Sequence, residues 1–193
     1  MTHRIYWLAG AVLLAAVATQ GPGRAQAQAQ AATDPNAAPN PYRTVEGWAK
    51  LPEERVWGQV IGVDVDRDGS SVWTFDRCGA KACTGSNLAP IQKFDASGKL
   101  VTSFGAGMFN FPHGLYVDRD NNIWVSDGRA KNNGKGHTVM KFTAEGKLIM
   151  TLGKPGVAGD GPDTFNAPSD ILVAPNGDIL SPTAMAATPM RES

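Results

Sequence analysis

The sequence predicts an all-β fold built from a recurring four-strand unit, and three observations predict it. A hairpin pattern recurs at near-constant spacing, helical periodicity of useful length is absent beyond the N-terminal apolar run, and 22 Gly with 13 Pro supply turns for many short strands. The hairpin is clearest in FNFPHGLYVDRDNNIWVSDG, residues 109–128, where Leu115-Tyr116-Val117 and Ile123-Trp124-Val125 flank Asp118-Arg119-Asp120-Asn121-Asn122. Asp and Asn side chains hydrogen-bond the backbone of turns, so two alternating runs joined by such a stretch read as paired antiparallel strands.

Taken in order, the chain opens on a targeting pattern. His3 and Arg4 precede an apolar run from Leu8 to Ala18 broken only by Gly10, and Arg24-Ala25-Gln26-Ala27 offers a small-x-small cleavage site. The run is shorter than the roughly 20 residues that span a bilayer. A cleaved signal peptide over 1–27 is expected, hence export to a periplasmic or secreted location with no membrane span after cleavage. Residues 28–49 are expected to be a disordered linker, because 28–44 are poor in large apolar groups and rich in Ala, Pro and Asn.

The repeats begin near residue 58. Gly62-Val63-Asp64-Val65-Asp66-Arg67-Asp68-Gly69 with Val72-Trp73 matches Gly114-Leu115-Tyr116-Val117-Asp118-Arg119-Asp120-Asn121 with Ile123-Trp124, and Asp170 to Ile179 is a third copy. A second hairpin, Lys93-Phe94-Asp95-Ala96-Ser97-Gly98-Lys99-Leu100, recurs at Lys141 to Leu148. Val65, Val117 and Val173 are 52 and 56 positions apart. A period near 50 with four short strands is the pattern of a propeller blade, and about 150 residues from Lys50 onward hold roughly three blades where closure takes about four to eight. A partial β-propeller over 50–180 is therefore expected. Trp73 and Trp124 fall at equivalent positions as blade-packing residues, and Asp66, Asp68, Asp118 and Asp120 read as hairpin-turn residues with solvated carboxylates.

Insertions interrupt the pattern at Cys78 to Pro90, Arg129 to Gly136 and Lys154 to Asp163, and such loops can build a binding face. Cys78 and Cys83 are the two cysteines of the chain; in an exported protein they read as a local disulfide, while a metal pair would need two further ligands that no nearby residue supplies. His137 reads as a strand-edge residue. The 18 basic and 18 acidic residues give no electrostatic grip on nucleic acid or an anionic membrane.

The C-terminal stretch LSPTAMAATPMRES departs from the repeat, so 181–193 are expected to be an irregular tail. Moving the codons of Ser181 to Glu192 by one base permits Val-Ala-Asp-Gly followed by a plausible strand, which is what the repeat demands. A lost base near Leu180 is one expectation; a natural short protein with a disordered tail is the other.

The motifs PxGLxVDxxxNIWVxD and PSDILVAPNGDI resemble NHL repeats. The order GQVIGVDVD, FDR, FPHGLYVDRDNNIWVSDG, FNAPSDILVAPNGD further resembles the peptidyl-α-hydroxyglycine α-amidating lyase family, from about Trp57 to Ile179. That resemblance implies a six-bladed propeller that cleaves a peptidyl-α-hydroxyglycine to a peptide amide and glyoxylate, with a catalytic zinc on three histidines and a structural calcium. It implies that His113 is the first zinc ligand, that Val63 and Leu115 offer backbone carbonyls to calcium, and that Arg77 is the active-site arginine. The family's active-site tyrosine follows an Asp-Gly that this chain lacks, and the other two zinc histidines lie in blades it does not contain. Three readings follow: a metal-dependent lyase-like propeller with a peptide or small-molecule ligand, a non-catalytic NHL binding module of the cell envelope, and an inactive fragment that retains neither metal. Read without the family, His113 is a turn histidine bonded to backbone, and Arg77 divides evenly between a carboxylate-binding fork and a surface partner of Asp76.

Overall fold

The computed structural model describes residues 40–182 and 187–191. The signal-peptide reading of 1–27 and residues 28–39 of the linker lie outside them. The chain divides into two units, Met1–Val45 and Glu46–Ser193. Of the first, residues 40–45 are described and carry no strand.

The second unit is all-β and forms three consecutive blades of a partial β-propeller. Blade 1 is the meander β1 (Val60–Val65), β2 (Val72–Asp76), β3 (Ile91–Phe94) and β4 (Leu100–Phe104). Blade 2 repeats it with β5 (Pro112–Val117), β6 (Ile123–Asp127), β7 (Thr138–Phe142) and β8 (Leu148–Leu152). Blade 3 holds β9 (Leu172–Val173), β10 (Asp178–Pro182) and β11 (Ala187–Arg191). The tail expected to be irregular thus adds Ser181 and Pro182 to β10 and forms β11, with Asp178 opposite Arg191 and Pro182 opposite Ala187. Pro189 is tolerated because β11 is an edge strand, where one side of the backbone needs no ladder partner, and Pro182 stands at the very end of β10.

The linker ends earlier than composition suggests. Trp48 packs at a tilt with its ring centre 6.3 Å from that of Phe94, its indole N–H donates to the Ala96 carbonyl at 3.1 Å, and Lys50 bridges Lys99. A tryptophan that both covers an apolar ring and finds an acceptor has reason to dock rather than float.

Each first hairpin turns where the repeat places it. Gly69, Asn121 and Gly177 take φ of 74°, 63° and 87°, the left-handed region that Gly adopts freely and Asn tolerates. The carboxylates of Asp66 and Asp118 are not solvated, contrary to the turn reading: they are 3% and 4% exposed. Each accepts the indole N–H of its own blade's tryptophan, Trp73 to Asp66 at 2.8 Å and Trp124 to Asp118 at 2.9 Å. Burial alone would raise the Asp118 pKa, but hydrogen bonds from Trp124, Asn122 and the Asp120 N–H outweigh it and hold the group below the usual carboxylate range.

Two apolar clusters sit between blades. Trp73, Phe75 and Ile91 of blade 1 pack with Leu115, Val117 and Phe142 of blade 2. Trp124 and Val139 pack with Ile171 and Ile179 of blade 3. The first strands approach so closely that a Cβ on Gly62 would lie 2.6 Å from the Leu115 Cβ, and one on Gly114 2.6 Å from the Asp170 Cα.

A polar latch reinforces the first junction. Arg67, in the turn of blade 1, donates from Nε to the Asp118 carbonyl at 2.7 Å and from Nη2 to the Val117 carbonyl. Arg67→Ala is expected to cost about 1–2 kcal/mol, the lower end reflecting its exposure, read as a lower urea midpoint. An unchanged midpoint would mean the latch holds nothing in solution.

Candidate functional site

Two of the residues singled out by sequence, His113 and Arg77, come together where β2 meets β5. His113, near the start of β5, places Nδ1 2.8 Å from the Ser169 carbonyl of the next blade. A carbonyl only accepts, so Nδ1 carries the proton and the neutral ring keeps its lone pair on Nε2. His137 has the opposite arrangement: its Nδ1 accepts from the Ala167 N–H at 3.2 Å, leaving Nε2 to carry the proton. It immediately precedes β7, as expected of a strand-edge residue.

Arg77 immediately follows β2 and is 8% exposed. It is not the partner of Asp76, whose carboxylate pairs with Arg55 at 2.9 Å and accepts from the Gly58, Cys78 and Gly79 N–H groups. Instead its Nε donates to the Pro112 carbonyl at 3.0 Å, its Nη1 to the Gln59 side chain at 2.6 Å, and its guanidinium lies 3.7 Å from the Phe111 ring centre. Phe111 and His113 are 6.2 Å apart, ring centre to ring centre. Arg129 places a second guanidinium 4.3 Å from the Phe111 centre. Burial, and then repulsion from Arg129, lower the Arg77 pKa. Among the described residues neither arginine has a carboxylate within ion-pair distance.

The surrounding shell explains why this arrangement holds. Asp127 ends β6 with no exposed surface, and its carboxylate accepts the N–H groups of Asn110 at 2.9 Å and Phe111 at 2.5 Å. Asn110 is bound in turn by Asn133 and by the Lys135 carbonyl, so the insertion from Arg129 folds back onto the segment that presents Phe111. The Cys78–Cys83 disulfide is present, with Cα atoms 5.1 Å apart, and the Cys83 N–H donates to the Asn110 carbonyl at 2.8 Å. The bridge therefore pins the Cys78 to Pro90 loop beside Arg77.

Asp127 carries a pH dependence of definite sign. Burial raises its carboxyl to about 6, against the pull of the two N–H donors. A raised folded-state value means that the contribution to stability is complete below the ordinary value of 3.8 and is lost as pH rises through 6, roughly 3 kcal/mol in all. His137, whose pKa burial lowers, opposes this on acidification. Asp127→Asn removes the first effect and leaves the second. Between pH 7 and pH 5, the stability of the wild type relative to Asp127→Asn is expected to rise; parallel curves would refute the buried carboxylate.

Val63 and Leu115 occupy equivalent positions on β1 and β5, which touch through Gly62. Among the described residues no three His, Cys, Asp or Glu side chains converge on one point. One histidine with an open Nε2 and two candidate carbonyls complete neither a three-histidine zinc site nor a calcium cage.

Sequence reading missed Phe111 as the shared platform, Arg129 as a neighbour of Arg77, and Asp127. A signal for the last was present: Asp76 and Asp127 both close the second strand of their blade.

A family model of the NHL repeat matches residues 109–134. A probable peptidyl-alpha-hydroxyglycine alpha-amidating lyase of Caenorhabditis elegans is 33% identical over 138 residues, covering 64% of this chain and 37% of that one. Human NHL repeat-containing protein 3 is 29% identical, covering 72% and 38%. The chain spans less than two fifths of the length of either relative. Among solved structures, a catalytically inactive virginiamycin B lyase from Staphylococcus aureus is 17% identical with a TM-score of 0.44, over 74% of this chain and 43% of that one.

Proposed function

We propose that this NHL-repeat chain belongs to an exported lyase-type propeller whose ligand is a peptide ending in α-hydroxyglycine, and that the 193 residues alone do not catalyse its cleavage. The observation that carries the reading is the convergence of His113 and Arg77 on the Phe111-Pro112 edge, from two different blades. Arg77 presents a fixed, desolvated guanidinium fork, the chemistry that recognises a terminal carboxylate. His113 is oriented by the Ser169 carbonyl so that Nε2 faces away from its anchor, as a metal-binding imidazole is commonly held. Zinc and calcium belong to the proposed complete architecture, to which this chain would contribute His113 and the carbonyls of Val63 and Leu115. The disulfide fits an oxidising compartment, and no helix among the described residues is long and apolar enough to cross a membrane.

The test is binding and turnover of a peptidyl-α-hydroxyglycine by the purified chain with zinc present. Weak binding that falls at least about tenfold in Arg77→Lys, with no glyoxylate released above buffer, is expected. Binding indifferent to Arg77→Lys would sink the reading. Binding that also ignores zinc and His113→Ala, with Arg77→Lys still harmful, would favour the non-catalytic binding module, the alternative suggested by likeness to NHL repeat-containing protein 3.

A further inference from the structure

Arg129 stands out because its position is electrostatically unfavourable as it is. It is exposed, it follows β6 at the start of the insertion, and its long side chain could extend into water. Instead its guanidinium lies 4.3 Å from the centre of the ring that also carries Arg77 at 3.7 Å. The two charges are thus within about one Debye length of each other, roughly 8 Å at physiological ionic strength, and repel. An exposed cation–π contact returns only about 0.5–1 kcal/mol. Among the described residues no carboxylate compensates either cation, and Arg77 already spends Nε on Pro112 and Nη1 on Gln59. An anion arriving at the Phe111 edge reverses the sign of the interaction for both groups at once. We propose that Arg129 is a specificity-determining residue that acts with Arg77 to select ligands bearing a carboxylate next to an amide or apolar group that lies along Phe111. This rests on the reading that the same edge receives the ligand's carboxylate, and adds a second cation contributed by the insertion of blade 2.

Placement of Phe111 makes the idea specific. Its N–H is fixed by Asp127 and its carbonyl accepts from the Gly128 N–H at 2.9 Å, so the backbone that presents the ring is held on both sides. Asn133 and Lys135, further along the same insertion, tie the loop to Asn110 and thereby hold Arg129 near the ring.

The experiment compares hippurate, an N-acylglycine, with neutral hippuric amide, by calorimetry or ligand-observed NMR on the whole purified chain. The wild type is expected to prefer hippurate by at least about tenfold, a difference of about 1.4 kcal/mol. Arg129→Gln should reduce the preference to threefold or less without changing affinity for the amide, and Arg129→Lys should restore part of it. Arg129 is exposed, so both variants should melt as the wild type does. A full preference in Arg129→Gln overturns the proposal. If Arg77→Lys abolishes the preference in that same experiment, the Arg77 reading survives without Arg129; if neither variant changes it, or the wild type shows no preference, both fall.

Discussion

Gly114→Ala is expected to destabilise the chain by about 3 kcal/mol and to release His113 from its anchor. A Cβ at this position would sit 2.6 Å from the Asp170 Cα and 2.9 Å from the Ser169 carbonyl oxygen, both backbone atoms that cannot rotate away. Overpacking a tight site typically costs about 1–3 kcal/mol, and a backbone obstacle belongs at the upper end. The carbonyl that must move is the one His113 holds, so loss of stability and loss of histidine orientation should appear together. Urea unfolding measures the first and the ring-nitrogen shifts of His113 the second. A variant as stable as the wild type would show that β5 and blade 3 do not approach in this way.

Trp124→Ala should cost about 4 kcal/mol. The indole is fully buried, in the cluster that joins blades 2 and 3, and truncating a buried tryptophan usually costs about 3–5 kcal/mol. Two further losses act on the same site. Asp118 loses its indole donor and Lys141, 4.9 Å from the ring centre, loses its aromatic face. Trp124→Phe keeps most of the apolar volume and removes only the donor, so about 1–2 kcal/mol is expected there. Equal costs for the two variants would mean that packing contributes nothing, which the full burial of the ring contradicts.

How much of this could be read from the residues depends on the range of the interaction. The first hairpins were legible because a turn is local: Asp118 to Asn122 carries the side chains and the left-handed Asn that the turn requires. Blade order followed from the repeat. The burial of Asp66 and Asp118 was not legible, because an aspartate in a turn usually faces water, and only the folded chain brings the indole of the following strand onto it. Arg77 was recognised as a candidate, yet sequence adjacency suggested Asp76 as its partner. The backbone turn after β2 sends the two side chains apart, one to Arg55 and one to Phe111. Docking of Trp48 was hidden by the polar composition around it, since one aromatic residue with an acceptor in reach outweighs several flexible neighbours. β11 was hidden for a related reason: Thr188 to Met190 has little strand character of its own, and pairing with β10 supplies the order.

The site itself divides in the same way. His113 was identifiable because the equivalent positions, Ile61 and Ser169, show that the repeat does not demand a histidine. Phe111 and Arg129 lie 18 residues apart and meet only through the return of β6, so no spacing rule could connect them.

The most direct test is a heteronuclear NMR measurement of the histidine side chains at a pH where both rings are neutral, followed by titration with zinc alone. His113 should be protonated on Nδ1 and His137 on Nε2, and zinc should shift Nε2 of His113, weakly, as befits a single donor. Proton placement on Nε2 of His113, or zinc engaging His137 while His113 stays unchanged, would contradict a lyase-type site organised around the first strand of blade 2.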